Sequence, residues 1–158
     1  MTALLLERLA IIPIIYPVAD YSAGTPTVDI VNISNFERIL FVSFAGVATA
    51  GTGSSTFTVE ASDDVSASNV SALTFYSREI AATDVESAIV ARAVTGYVGT
   101  AGSNNLSMCE LHARQLSASG YKYARVKLVE SVNDPRVGCV FAIGEKRAAR
   151  ALTGTALT

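Results

Sequence analysis

The residues best suited to chemistry are the single histidine, His112, and a cysteine three positions before it, Cys109. A thiol beside an imidazole is the arrangement of a cysteine nucleophile with its base. If this segment is a strand, side chains three positions apart lie on opposite faces of the sheet and cannot form such a pair. If it is a helix, the two side chains could meet. We favour the strand and therefore expect no catalytic dyad.

Acidic residues lie close together in the segments Asp63–Asp64 and Asp84–Glu86. Calcium sites need about six to eight oxygen ligands, usually from an alternating acidic loop that contains a glycine, and neither segment has that pattern. One histidine and two cysteines are too few for a closed tetrahedral metal site. The glycine-rich stretches 46–53 and 96–102 are not followed by GK[ST], so they do not indicate a phosphate loop. We therefore expect no metal, no cofactor and no enzymatic activity.

The composition is half apolar, and 16% of the residues are charged, whereas about a quarter are charged in a typical soluble domain. The mean hydropathy is +0.38, yet no stretch reaches the roughly 18 uninterrupted apolar residues of a membrane helix. High apolarity without such a span suggests that part of the surface, as well as the core, is covered by other protein. The expected partners are therefore proteins and not a membrane.

Lysine and arginine are scattered over a chain of net charge −2, with one cluster at Lys146, Arg147 and Arg150. A nucleic-acid groove would show a basic stripe with interleaved aromatic residues, which is missing here. We interpret the cluster as part of a solvated or interface-facing tail and expect no direct nucleic-acid binding. Tryptophan is absent, which counts against a module that stacks sugars on exposed aromatic rings.

Residues 1–23 are interpreted as an N-terminal arm. Pro13 and Pro17 move the residues before them out of the α region, so the chain after Ile11 is expected to be extended and strongly apolar. The same prolines interrupt the apolar run, and no small-residue cleavage site follows it, so a secretory signal peptide is not predicted. The pattern leaves open whether the arm lies against its own domain or against a neighbour.

Residues 24–147 have the pattern of a β domain, with β-branched and aromatic runs between glycine, serine, asparagine and aspartate turns. The predicted strands are Val28–Ile33, Glu37–Gly46, Ser55–Ser62, Ala72–Ile80, Ala88–Tyr97, Leu106–Ala113, Tyr123–Ser131 and Val137–Gly144. About eight short strands at this spacing indicate a β-sandwich or barrel. Helices are the alternatives for Asp84–Val94, because Thr83–Glu86 fits a capping box, and for Met108–Ser119, which Gly120 would close.

Two predicted strands differ in how their apolar residues are distributed. Glu37–Gly46 is apolar on both faces, which indicates a central strand with something packed on each side. Ser55–Ser62 alternates instead. Its inward residues are predicted to be Phe57, Val59 and Ala61, and its outward residues Thr56, Thr58 and Glu60.

Cys109 and Cys139 could pair only if their strands are neighbours, and we expect two buried free thiols in a protein made in the cytoplasm. Residues 148–158 contain too little apolar bulk for a core and are interpreted as a C-terminal tail.

Four segments follow one another in a distinctive order: VDIVNISNFERILFVSFAGVATAG, STFTVEASDD, ALTFYSREI and LSMCELHARQLSASGYKYARVKLVES. This order resembles that of the small head-decoration (cement) proteins of tailed bacteriophages. Those proteins place a short strand before a long apolar strand, then a Thr/Glu-bearing strand, and then a leucine followed by a Gly-Tyr turn. Here the last features are Leu116 and Gly120-Tyr121, and the resemblance covers residues 28–144.

The resemblance implies a jelly-roll-like β-sandwich that sits as homotrimers on the outer surface of the phage head. There it would bridge subunits of the major capsid protein, so the expected location is the virion after synthesis in the host cytoplasm. Two alternatives stay open: another β protein of the virion (tail, neck or small jelly-roll capsid component), and a ligand- or glycan-binding β-sandwich.

Apolar arms and ordered tails provide reach between subunits, so we predict an assembly interface that uses both ends of the chain. The predicted interface residues are Leu4, Leu5, Leu6, Ile11, Ile12, Ile14, Ile15, Tyr16, Arg147, Arg150, Leu152 and Leu157.

Overall fold

The computed structural model describes residues 4–81, 84–117 and 120–147. The strands are β1 (Leu9–Val18), β2 (Val31–Asn32), β3 (Phe36–Ala45), β4 (Ser54–Ser62), β5 (Val70–Leu73), β6 (Phe75–Ile80), β7 (Val90–Arg92), β8 (Tyr97–Val98), β9 (Asn105–His112), β10 (Tyr123–Val132) and β11 (Gly138–Lys146). Two short helices, α1 (Leu5–Arg8) and α2 (Ala113–Ser117), adjoin strand ends. The predicted all-β sandwich is confirmed.

Two antiparallel sheets enclose one core. The larger sheet has the order β1-β11-β3-β9-β6-β7, the smaller has the order β2-β10-β4-β5, and β8 pairs with β4. Because successive residues of a strand alternate between faces, the central strands of both sheets send every second side chain inwards. Phe41, Phe57, Leu111 and Val126 illustrate this, each at most 1% exposed. No helix in the described part of the chain is long and apolar enough to cross a membrane.

The structure has more strands than the sequence predicts because the chain changes sheets twice within predicted strands. The predicted strand Ala72–Ile80 divides into β5, in the smaller sheet, and β6, in the larger. Ala88–Tyr97 divides into β7 and β8 around a turn at Gly96, whose φ is +76°. Within the described residues, the helical alternatives reduce to the single short helix α2. A residue pattern marks extended chain, but it does not mark the point where an extended chain leaves one sheet for the other.

The arm supplies the remaining strand. β1 pairs with β11 at the edge of the larger sheet, with irregular register between Pro13 and Ile15 and again before Val18. Ile14 is 5% exposed and belongs to the core cluster. The question that the sequence leaves open is therefore answered for Leu9–Val18, which lies against its own domain.

Two glycines of β11 make room for aromatic rings at the two ends of the core. A Cβ at Gly138 would lie 2.6 Å from the ring of Tyr21, and one at Gly144 would lie 2.5 Å from the ring of Phe36. Both separations are shorter than carbon atoms in contact allow. The rings can therefore close the core only because these two positions lack side chains.

One end of the sandwich is fastened by the carboxylate of Asp134, which is 4% exposed. It accepts backbone N–H bonds from Ala50 at 2.8 Å, Thr52 at 2.8 Å and Gly53 at 3.2 Å. These bonds, led by the one from Thr52, hold the pKa of Asp134 below its usual value. The carboxylate thereby joins the loop after β3 to the loop after β10.

Candidate functional site

The structure separates Cys109 from His112. Cys109 lies on the inner face of β9 and is 1% exposed, whereas His112 lies beside Arg38 on the outer face. Burial raises the pKa of the Cys109 thiol to about 12, so it is protonated at neutral pH and is a poor nucleophile. The two side chains thus lie on opposite faces of β9, as a strand requires. Cys109 and Cys139 are both free thiols, but only Cys109 is buried, whereas Cys139 is partly exposed because it lies on the outer face of β11.

The acidic segments take part in loop structure. The Asp64 carboxylate accepts hydrogen bonds from the Ser68 hydroxyl and from the N–H groups of Ser66 and Ser68, and these bonds, led by the hydroxyl, lower its pKa. Glu86 forms an ion pair with Arg78. The described residues contain no group of three or more side chains that could hold a metal ion.

A polar cluster that the sequence does not reveal ties the larger sheet to the loop after β8. The Glu79 carboxylate accepts hydrogen bonds from the Ser107 hydroxyl at 2.8 Å and from the Thr100 hydroxyl at 2.8 Å. Nearby, the Arg92 guanidinium lies 4.4 Å from the centre of the Tyr97 ring, and burial raises the pKa of the Tyr97 hydroxyl. With its acid engaged by hydroxyls and its phenol protonated, this cluster is suited to structural support.

The outer face of the larger sheet carries a continuous apolar surface, here named the apolar face. It begins with the apolar side chains of β3 that point away from the core. The strand registers place apolar side chains beside them on β11, on β1 beyond it and on β9, except that Glu110 of β9 lies beside Leu40. The apolar face consists of Ile11 and Pro13 on β1, Cys139, Phe141 and Ile143 on β11, Leu40, Val42 and Phe44 on β3, and Leu106 and Met108 on β9.

These side chains form a layer of their own. Val42 is 3% exposed yet does not belong to the core cluster, since it lies between Phe141 and Met108 in the register of the outer face. Ile11 and Phe44 are 67% and 54% exposed. The sequence predicts that both faces of β3 are covered by packed residues. On the inner side this is the core, whereas on the outer side the described residues leave Phe44 more than half open.

Charges border the apolar face at one end. Glu145, Arg38 and His112 follow one another across β11, β3 and β9. Arg38 lies 3.8 Å from Glu145 and 3.8 Å from Glu110, and Arg8 lies 3.5 Å from Glu145. The Arg38 and Glu145 side chains remain 54% and 38% exposed, so this border is accessible as well as charged.

The outer face of the smaller sheet, here named the polar face, has the opposite chemistry. It consists of Thr56, Thr58 and Glu60 on β4 and Arg125, Lys127 and Val129 on β10. Arg125 donates to Glu60 from Nε at 2.9 Å and from Nη2 at 2.7 Å, and the Lys127 ammonium lies 3.5 Å away. The predicted outward direction of the β4 residues is confirmed. Glu60 is nevertheless 8% exposed, because the two cations close over it.

The predicted interface residues of the arm divide into two groups. Ile14 is buried in the core, and Ile12 and Ile15 pack partly buried against it. The prediction that Ile14 contacts a neighbouring subunit is therefore wrong, since an edge strand must place some of its side chains inwards. The other group is exposed: Leu4 (67%), Leu5 (70%), Leu6 (81%), Ile11 (67%) and Tyr16 (73%).

At the other end of the chain, Arg147 follows β11 and returns to the start of β3. Its Nε donates to the carbonyl of Phe36 at 2.9 Å, and its N–H donates to the carbonyl of Asn35. Its role in assembly stays a prediction. Arg150, Leu152 and Leu157 lie outside the described residues.

Sequence reasoning missed half of the apolar face. Glu37–Gly46 is recognised as apolar on both sides, but β11 contains the same signal and is not recognised. There Cys139, Phe141 and Ile143 alternate with Val140 and Ala142, so both faces of the strand are apolar. That pattern in two strands marks them as neighbours in a sheet that is apolar on both sides.

No known protein family and no curated protein matches this chain. Among solved structures, the chain is similar to the SPBc2 prophage-derived protein YomS, with 14% sequence identity and a TM-score of 0.42. The likeness covers 86% of this chain and 91% of that protein.

Proposed function

We propose that this chain is a structural protein of a phage virion, and that it decorates the outer surface of the head and stabilises the lattice of the major capsid protein. The proposed partner, the major capsid protein, is inferred from the resemblance of the sequence to head-decoration proteins. The all-β sandwich agrees with the fold that the resemblance implies. The polar clusters described above make structural contacts, as expected of a protein that acts by binding.

The observation that carries the proposal is the exposed leucine group at the start of the arm. Leu4, Leu5 and Leu6 are two-thirds or more exposed, next to a well-packed sandwich. The Glu7 carboxylate accepts the Leu4 N–H at 2.8 Å and so holds the first turn of α1. Full burial of one leucine side chain contributes about 1.5–3 kcal/mol. Three leucines on an ordered turn therefore form a small anchor that has no partner surface within the sandwich core.

Such an anchor suits a repetitive lattice. A contact of this size is weak by itself, but a shell presents the same binding site many times, and a bound copy that touches several subunits gains from each of them. Binding of this kind stabilises the lattice without any chemical step. The proposed role therefore agrees with the inert, buried thiol of Cys109.

The test is binding of the purified chain to DNA-filled and empty phage heads, measured by co-sedimentation and by the heat resistance of the heads. Deletion of residues 1–18 would remove β1 from the larger sheet and would confuse folding with binding. The sharper variant is Leu5→Ser with Leu6→Ser, because both side chains are exposed and neither supports the core. Thr58→Ser on the polar face is the matched control.

We expect the wild type and the control to bind at many copies per head and to raise the temperature at which heads release DNA. The double leucine variant should bind at least tenfold more weakly. A folded wild-type chain that ignores heads would contradict the proposal. Binding at a few copies on one vertex would instead identify a neck or tail component.

A further inference from the structure

We infer that the apolar face is a self-association interface, on which two copies of this chain pack face to face about a two-fold axis parallel to the strands of the larger sheet. The inference does not depend on the proposed function, since it concerns the apolar face and not the leucines of α1. It can be tested on the purified chain in the absence of any phage particle.

The edges of the larger sheet are poorly suited to join two copies. β1 is one edge strand, and it contains Pro13 and Pro17, each of which lacks the backbone N–H that strand pairing requires. The opposite edge strand, β7, has three residues. A second copy is therefore expected to approach the face of the sheet and not its edges.

The distribution of charge on the face selects one arrangement of the two copies. A two-fold axis across the strands would lay the charged border, with Arg38 and Glu145, over the opposite end of the other copy's face. That end is the apolar row of Cys139, Phe44 and Leu106, and burying charge against it is unfavourable. An axis along the strands lays the charged border on itself and the apolar end row on itself, and it sets a single charged residue of the face, Glu110, against an apolar one, Ile11. The second arrangement is therefore favoured.

The border is also complementary to itself. Arg38 on β3 and Glu145 on β11 are cross-strand partners at the same level. With the axis between these two strands, Arg38 of each copy faces Glu145 of the other, and four charges of alternating sign surround the axis. Each already has two partners within its own chain, but the contacts are long, at 3.5–3.8 Å, and the exposed fractions of 54% and 38% leave room for a further partner across the axis. Two levels further along the strands, the same axis sets Phe141 of one copy against Val42 of the other.

The size of the face predicts a reversible pair. From strand spacings of about 4.8 Å and a rise of about 3.4 Å per residue, the face with its border measures roughly 20 Å by 20 Å in projection. A stable interface buries about 800 Å² on each partner, with an apolar centre and a polar rim. The apolar face with its border supplies the centre and only part of the rim of such an interface. Dimers should therefore dissociate into monomers within an accessible concentration range.

The test uses two charge reversals, Arg38→Glu and Glu145→Arg, and sedimentation equilibrium of the full chain over a concentration series. Each variant alone places like charges across the axis, and we expect its self-association to fall at least tenfold. An equal mixture of the two should restore pairs, because two acidic positions of one chain then face two basic positions of the other. The chain that carries both reversals should also pair like the wild type.

The mixture separates an interface from a role within one chain, since a second molecule cannot repair an internal ion pair. Thermal unfolding of each variant checks that the fold is retained. A wild type that stays monomeric at every concentration would overturn the inference. The trimer that the resemblance implies would overturn the two-fold arrangement, as would a mixture that stays monomeric. Paired protein that fails to bind heads would contradict the proposed function alone.

Discussion

The two outer faces of the sandwich share one geometry and differ in chemistry. On the polar face, the carboxylate of Glu60 receives Arg125 and Lys127, and the three side chains satisfy one another. On the apolar face, Leu40, Val42 and Phe44 occupy equivalent outward positions of the central strand β3. Both faces follow the alternation that strands impose, so the contrast arises from the choice of residue at every second position.

The difference shows how the exposure of its side chains indicates whether a face is already covered by its own chain. Glu60 is 8% exposed because its own neighbours cover it, whereas Phe44, in the end row of an apolar surface, is 54% exposed. A polar face whose ion pairs are made within the chain gains little from a partner. Single exposed hydrophobic residues are common on protein surfaces, whereas a contiguous apolar patch of several hundred Å² commonly marks an interaction site.

The largest expected difference is in thiol reactivity, because the two cysteines lie on opposite sides of the larger sheet. Cys109 is buried with a pKa of about 12, so at pH 8 roughly one thiol in 10⁴ is ionised even before access is considered. Cys139 lies on the apolar face and is partly exposed. We expect iodoacetamide to label Cys139 in the native protein and Cys109 only after unfolding, as measured by peptide mass spectrometry.

The same labelling experiment also tests whether the apolar face is covered by a second copy when the protein concentration is varied. If the apolar face pairs, Cys139 should be labelled more slowly in concentrated than in dilute solution. Cys139→Ser is the control, and it should leave almost no labelling of the native chain. Rapid native labelling of Cys109, or labelling of Cys139 at one rate over the whole concentration range, would contradict this prediction.

The next effect is on association strength. Phe44→Asp replaces an exposed ring on the apolar face, so the fold should persist. Loss of about 1.5–3 kcal/mol of burial, together with desolvation of a carboxylate, should weaken pairing about 100-fold. Thr58→Asp is the matched control on the polar face, where the new carboxylate would lie beside Lys127. Sedimentation equilibrium measures the dissociation constant of each variant, and equal effects of the two substitutions would contradict the distinction between the two faces.

The sequence predicts much of this architecture because strand alternation is a local property. Ser55–Ser62 illustrates it, since its inward and outward residues are those observed in β4. The outer side of β3 is also visible in the sequence as a second apolar row. What cannot be read locally is which strands are neighbours, and a continuous face depends on the registers of four strands that are distant in sequence.

The direction in which each side chain of the arm points is harder to predict for a related reason. Ile14 has the same apolar character as Ile11, yet one is in the core and the other is 67% exposed. The two residues are three positions apart on β1, so alternation places them on opposite faces. The irregular register between Pro13 and Ile15 then turns both Ile14 and Ile15 towards the core, and a proline, which suits edge strands and bulges alike, does not by itself reveal this. Likewise, the burial of Glu60 depends on cations from β10, more than sixty positions away.

The third effect is on folding stability, and it contrasts an ion pair of each face. Glu60→Ala removes the counter-charge of Arg125, whose side chain is 23% exposed, and should lower the free energy of unfolding by about 1–2 kcal/mol. Glu110→Ala, one level inside the charged border of the apolar face, removes a 3.8 Å contact between more exposed groups and should cost under about 0.5 kcal/mol. Urea unfolding measures both, and a larger loss for Glu110→Ala would contradict the view that the polar face is complete.

The last and smallest change is expected only at acidic pH, and it concerns Asp134, which joins the loops at one end of the sandwich. The folded-state pKa of Asp134 is lowered, chiefly by the N–H bonds from Thr52 and Ala50, and its unfolded value is about 3.9. Its contribution to stability is therefore fully present above about pH 4 and is lost as the pH falls through the folded value, because protonation removes the charge that those N–H groups bind. Urea unfolding between about pH 6 and pH 2 should show a shallower acid decline for Asp134→Asn than for the wild type. An identical decline in the two proteins would contradict this prediction, because it would mean that the loops bind the Asp134 carboxylate no better than water does. The acid sensitivity would then arise from one of the two faces.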